Sequence, residues 1–168
     1  MKIVTINEAD LERYWALRLE ALKTSPEAFG SDYETDQHLP LEQVRERVRG
    51  FHNENFVVAA ELDGQLLGMV GFLRNHRIKT KHKGFIWGVY VRSQARGQGV
   101  GRTLMEETLR RARQMEGLLA VHLAVVATNT SAKALYESLG FKAYGLERRA
   151  LLVNGTFYDE VLMELDLD

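Results

Sequence analysis

The chain has 168 residues, 45% of them hydrophobic, and its 22 Lys plus Arg against 23 Asp plus Glu give a formal charge of -1. That length and apolar share suit one packed domain over residues 1–168, and the near-neutral balance offers no basic field to hold a nucleic acid. The absence of cysteine excludes disulfides, thiolate metal sites and a cysteine nucleophile.

Met1 to Glu8 carries no long apolar stretch with a small-residue cleavage site, and no later run approaches the roughly 20 apolar residues of a membrane span. The expectation is a cytoplasmic protein with no membrane partner. Ile3 to Ile6 reads as a first strand. Asp10 is placed to cap a helix that carries Leu11, Trp15, Leu19 and Leu22 on one side and stops at Ser25-Pro26. After an irregular polar stretch with Phe29, Tyr33 and Glu34, Leu41, Val44 and Val48 fall at helical spacing up to Gly50. Phe56 to Leu62 and Gln65 to Leu73 are apolar runs joined by Asp63-Gly64, the dipeptide of a two-residue hairpin.

A basic, loop-like stretch from Arg74 to Lys83 leads into Phe85 to Val91, an aromatic and β-branched strand with Gly88 inside it, where a bulge or a close backbone approach is expected. From Gly99 to Met115, Leu104, Met105, Thr108, Leu109 and Ala112 share one helical face, with Glu106/Arg110 and Glu107/Arg111 spaced for i,i+4 pairs on the other. Leu119 to Val126 is apolar almost throughout, as in a strand buried on both faces, and its link through a helix predicts parallel pairing with the strand before it. A helix from Ser131 to Leu139 ends at Gly140, and Phe141 to Leu152 and Phe157 to Leu165 close the chain around Asn154-Gly155. These elements make a mixed sheet in an α/β domain.

Arg96-Gly97-Gln98-Gly99-Val100-Gly101 lies between a strand and the start of the strongest helix. Its glycines let the main chain approach a ligand, and the first N–H groups of the helix, with the helix dipole behind them, invite an anion such as a pyrophosphate. Arg96 and Arg102 are placed to add charge-assisted hydrogen bonds. A P-loop is excluded because Arg102-Thr103 follows Gly101, and the dinucleotide fingerprint because Arg102 stands where its third glycine belongs. Downstream, Asn129, Ala132 and Tyr136 precede Gly140-Phe141, with Ala132, Leu135, Tyr136 and Leu139 on one helical face.

An arginine-glycine turn after a strand, then a strand, then Asn-x-x-Ala-x-x-x-Tyr and Gly-Phe, resembles the GNAT acetyltransferase superfamily, whose Q/R-x-x-G-x-G/A signature Arg96 to Gly101 matches at each defined position. The resemblance implies a GNAT-type acyl-CoA N-acyltransferase fold, α/β, with a mixed central sheet of about seven strands flanked by about four helices. It also implies an acetyl-CoA-dependent N-acetyltransferase that uses coenzyme A as cosubstrate and needs no metal. On this pattern Arg96, Gly97, Gln98, Gly99, Val100, Gly101 and Arg102 hold the pyrophosphate, and Val89, Tyr90 and Val91 lie along the pantetheine. Asn129 contacts that arm, and Tyr136 sits near the sulfur as general acid.

Many relatives carry a glutamate on the strand matching Phe85 to Val91, which here has no acidic residue. Glu34, in the loop where the family builds its acceptor groove, is therefore the candidate base. His122 reads as a structural histidine or a proton relay, Trp87 as core or acceptor wall, and Tyr158-Asp159-Glu160 as a solvated strand end or a cation lure. The basic loop from Arg74 reads as solvated, or as a contact for the coenzyme 3′-phosphate or an acidic partner. The implied acceptor is a small primary amine such as an amino acid, polyamine or antibiotic. The alternatives are a protein N-terminal or lysine acetyltransferase, or a non-catalytic acyl-CoA sensor. The family also makes a homodimer an expectation.

Overall fold

The computed structural model describes residues 1–167. One sheet holds β1 (Lys2–Thr5), β2 (Asn55–Leu62), β3 (Gln65–Arg74), β4 (Lys83–Val91), β5 (Ala120–Val126), β6 (Lys142–Val153) and β7 (Thr156–Asp166), in the spatial order β1-β2-β3-β4-β5-β7-β6. The helices are α1 (Leu11–Thr24), α2 (Tyr33–Asp36), α3 (Leu41–Arg49), α4 (Val100–Arg113) and α5 (Thr130–Ser138). Among the described residues only the β4–β5 neighbours run parallel, joined through α4 as the sequence requires. Both dipeptide turns form as expected, with Asp63 and Gly64 at φ 49 and 79 and Asn154 and Gly155 at the same angles.

The sheet separates two cores, and β2 shows how its period-2 alternation feeds both. Phe56, Val58 and Ala60 pack on the α4 side with Leu104, Met105 and Leu109, while Val57 and Ala59 pack on the α1 and α3 side with Trp15, Leu22 and Val44. No helix among the described residues is long and apolar enough to cross a membrane.

Several local expectations change. The extra helix α2 is a single turn capped by Asp32, whose side chain accepts from Thr35 N at 2.7 Å. Asp10 does not cap α1; its carboxylate turns back to the Asn7 amide and bonds Arg13. The buried side of α1 holds Tyr14, Leu17, Arg18 and Ala21, while Leu19 is half-buried. Gly50 stays in right-handed geometry, φ -72, so α3 ends without a left-handed cap. The Glu106/Arg110 pair gives way to Glu107 bonding both Arg110 and Arg111, because both guanidiniums reach one carboxylate at 2.7 Å and Glu106 faces Arg102. On β5 the face bearing Val121, Leu123 and Val125 is buried, but Ala120, His122 and Ala124 are half-buried.

The approach of β3 to β4 fixes Trp87. Gly71 pairs with Trp87, and a Cβ on Gly71 would lie 2.3 Å from the indole. Gly71→Ala should therefore destabilise by about 1–3 kcal/mol through overpacking, read as a lower midpoint in chemical denaturation; unchanged stability would mean the indole is free to move.

Candidate active site

The cleft begins where two parallel strands part. β4 pairs with β5 only through Lys83, Gly84 and Phe85 against Ala120, Val121 and His122. Beyond them Gly88 takes φ 62, and the β3–β4 register shifts between Met69 and Gly71, which bulges β4 away from its neighbour. The gap is a cavity of about 590 Å³ walled by Gly88, Val89, Tyr90 and Val91 on one side and Leu123 to Val126 on the other. The freed edges of β4 and β5 carry main-chain donors and acceptors that an extended, amide-bearing ligand can pair with. Tyr90 anchors the bulged strand: its hydroxyl lies 3.1 Å from both Thr24 Oγ1 and Glu20 Oε1, and Arg92 bonds the same Glu20 at 3.0 Å.

One end of the cleft opens onto the start of α4. Gly99 is the residue before the helix, at φ 79, and no side chain caps it. A Cβ on Gly97 or Gly99 would meet nothing within 4 Å, so their backbone faces open space. Uncapped amides with positive dipole potential at the mouth of a cavity form an anion cradle. Gly97, Gly99, Val100 and Gly101 line the cavity with Arg96, whose Nε donates to the Val91 carbonyl at 2.9 Å and whose guanidinium lies over the Tyr90 ring. Gln98 and Arg102 stand outside the lining. Gln98 Nε2 donates to Gln94 O at 2.9 Å, and Arg102 Nη2 to Ser138 Oγ at 2.7 Å.

Asn129, the residue before α5, and Tyr136 on that helix line the same cavity. Asn129 Oδ1 accepts from Ala132 N at 3.2 Å and so caps α5, which leaves the side-chain amide as its remaining donor. Tyr136 is 5% exposed and meets Phe141 edge to face at 6.1 Å. Burial pushes its phenol above its ordinary value, so the side chain carries its proton through neutral pH.

The remaining candidates scatter. Glu34 is exposed on α2, accepts from Gln37 Nε2 at 2.9 Å and does not line the cleft. Trp87 lines it. His122 packs edge-on to Tyr144 at 5.6 Å, with Nε2 buried and unpartnered, and burial lowers its pKa, helped by Lys83. Glu160 is half-buried across from Glu147 on β6, and burial, then that neighbouring carboxylate, raises its pKa. The basic loop lies at the start of β4, away from the cradle, with Arg74 tied to Glu54 at 2.6 Å. The sequence reading missed Glu27, the one acidic side chain among the described residues lining the cavity. It sits in the turn Pro26–Ala28, which packs against β5 and β6 and so spans the open side of the gap. Nothing in its local pattern marked it, because only the path of that turn brings it there.

Residues 16–141 match the model of the family described as Acetyltransferase (GNAT) family. The chain is 35% identical over 99 residues to a mycothiol acetyltransferase of Salinispora tropica, covering 59% of this chain and 32% of that one. It is 29% identical over 117 residues to the L-methionine sulfoximine/L-methionine sulfone acetyltransferase of Pseudomonas aeruginosa, covering 67% and 64%. To the N-alpha-acetyltransferase RimI of Mycobacterium tuberculosis it is 36% identical over 104 residues, covering 60% and 61%. The match thus spans about a third of the mycothiol acetyltransferase and less than two thirds of the other two. Among solved structures, an acetyltransferase of GNAT family from Streptococcus pneumoniae superposes with TM-score 0.87 at 23% identity, covering 98% of each chain. A Salmonella typhimurium protein solved with its cofactor acetyl-CoA gives TM-score 0.86 at 20% identity, covering 100% of this chain and 94% of that one.

Proposed function

Because the chain belongs to the GNAT acetyltransferase family, we propose that it transfers the acetyl group of acetyl-CoA to the primary amine of a small molecule by direct attack. The observation that carries this reading is the continuity of one cavity from the uncapped start of α4, between the parted strands β4 and β5, to the buried Tyr136. An anionic head, an amide-bearing arm and a thioester end each find chemistry that suits them in that order.

In this reading the amides of Gly97 to Gly101 and the Arg96 side chain take the pyrophosphate, and Arg102 and Gln98 support the rim. The edges of Val89 and Val91 pair with the pantetheine amides, joined by the Asn129 amide. The Val89 N–H stabilises the oxygen charge that develops as the amine attacks. A C–N bond forms and the C–S bond breaks; Tyr136 gives its proton to the leaving sulfur, and the amine releases one.

Glu27 and Glu34 compete for the amine's proton. Glu27 faces the cavity and Glu34 is exposed beside Gln37, which favours Glu27. Glu27→Gln should lower kcat/KM about tenfold at neutral pH, less than an indispensable base because water reaches an open cleft, while Glu34→Gln should change it by under about threefold. Steady-state rates of both variants decide, and the reverse order would return the role to Glu34.

The likeness to RimI supports a second reading with a protein N-terminus as acceptor. Titration calorimetry with acetyl-CoA, followed by product detection over small amines and over peptides with free N-termini, separates the two. A folded protein that fails to bind acetyl-CoA would overturn both.

A further inference from the structure

We propose that the acceptor carries a carboxylate beside its amine, as an α-amino acid does, and that Arg18 holds that carboxylate. This deepens the reading above and rests on it.

Arg18 is an anomaly in α1. It lies on the helix's buried side with Leu11, Tyr14, Trp15 and Leu22, and only 9% of it is exposed. A buried guanidinium is costly unless its donors are met, and those of Arg18 are met only in part. Nη2 donates to Ser31 Oγ at 3.1 Å. Nε stands 3.7 Å from Asp36 Oδ2, beyond hydrogen-bond reach, and that oxygen has no partner either. Nη1 is buried with no partner at all.

The unmet donor lies beside the reaction end of the cleft. Nη1 is 3.7 Å from where a Cβ on Gly88 would stand, and Gly88 is the bulge residue next to Val89. The guanidinium carbon lies over the Trp87 ring, 5.5 Å from its centroid. Trp87 itself lines both the coenzyme cavity and a second, open one of about 300 Å³, lined also by Tyr14, Arg18, Val44, Arg47 and Leu73. That volume is at the small end of ligand sites, which run from roughly 300 to 1,000 Å³. Two arginines line it and, among the described residues, Asp36 is the one carboxylate paired with Arg18, so the local charge favours an anion and disfavours a polyamine tail.

An arginine fork is the natural partner of a carboxylate. In an α-amino acid one carbon separates the carboxyl carbon from the amine nitrogen, so fixing the first next to Gly88 orients the second toward a thioester carbonyl at Val89. Val44 and Leu73 supply apolar surface for a side chain.

The test measures acetyl transfer by the intact chain to the proteinogenic α-amino acids and L-methionine sulfone, each beside the matching amine that lacks the carboxylate. At least one amino acid should exceed its decarboxylated partner in kcat/KM by about 100-fold, the scale set by leaving a charged donor unpaired. Arg18→Gln should lower kcat/KM for that amino acid by roughly 30- to 100-fold, mainly through KM, and leave the decarboxylated amine within about threefold and acetyl-CoA binding unchanged. Arg18→Lys should recover part of the loss. Equal rates for the two members of every pair, turnover of neither, or an equal loss on both in Arg18→Gln would overturn the assignment. If the glutamine variant fails to fold, the wild-type pairs and the lysine variant decide. Wild-type protein that binds acetyl-CoA yet shows no carboxylate preference defeats this inference alone; protein that does not bind acetyl-CoA defeats the reading beneath it.

Discussion

Gly99→Glu should raise the dissociation constant for acetyl-CoA by roughly 10³-fold while leaving the protein folded. Gly99 sits at φ 79 immediately before α4, and a side chain there projects into space that nothing within 4 Å occupies. The new carboxylate would stand at the uncapped helix start, in the position a pyrophosphate needs. Unit charges about 4 Å apart repel by about 4 kcal/mol at an effective dielectric of about 20, which alone gives that factor. The left-handed backbone costs a side chain about 1 kcal/mol, small beside the roughly 5–15 kcal/mol stability of a domain. Gly99→Asn separates the two effects, because asparagine tolerates the same φ without charge and should bind within about tenfold of wild type. Calorimetric titration of both variants is the measurement. Wild-type affinity in the glutamate variant would remove the cradle from the site.

What the sequence disclosed depended on how local each signal was. The turns at Asp63-Gly64 and Asn154-Gly155, the face of α4 from Leu104 to Ala112, and the glycines before it are written in consecutive residues, and the structure follows them. The parallel pairing of β4 with β5 was legible because a helix connects them, but its extent was not: the strands part after Phe85, where Gly88 enters the left-handed region. Arg18 leaves a signal in the sequence. A charged residue three positions after Trp15 and four before Leu22 interrupts an apolar stripe, and such an interruption is affordable only where something meets the charge. Glu27 gave none, since its place on the cleft comes from a turn crossing to β5 and β6. Asn129 caps α5, a duty that its position before Thr130 and Ser131 already allows, and its side-chain amide stays free for the ligand contact that the resemblance implies.

Tyr136→Phe should lower kcat by 10²- to 10⁴-fold, the span of a general acid, with the dissociation constant of acetyl-CoA unchanged. The substitution removes one oxygen from a ring whose packing against Phe141 is retained, so neither fold nor cavity shape has cause to move. The pH dependence carries a second check. A general acid must be protonated, and burial raises the Tyr136 phenol above its ordinary value of about 10, so wild-type kcat should show no alkaline fall up to about pH 10. On the acid side the rate should fall as the acceptor amine takes up its proton. A phenol held that high is a weaker acid than a thiol of ordinary pKa near 8.5, so it cannot rest as phenolate once the sulfur is protonated. It must recover a proton, and the attacking amine releases one in the same turnover. On the proposed mechanism, proton donation by Tyr136 and proton removal from the amine are therefore coupled, and Glu27→Gln combined with Tyr136→Phe should cost less than the product of the two single losses. Full kcat in Tyr136→Phe, with the alkaline profile unmoved, would make Tyr136 a core residue and leave protonation of the sulfur to water entering the cleft.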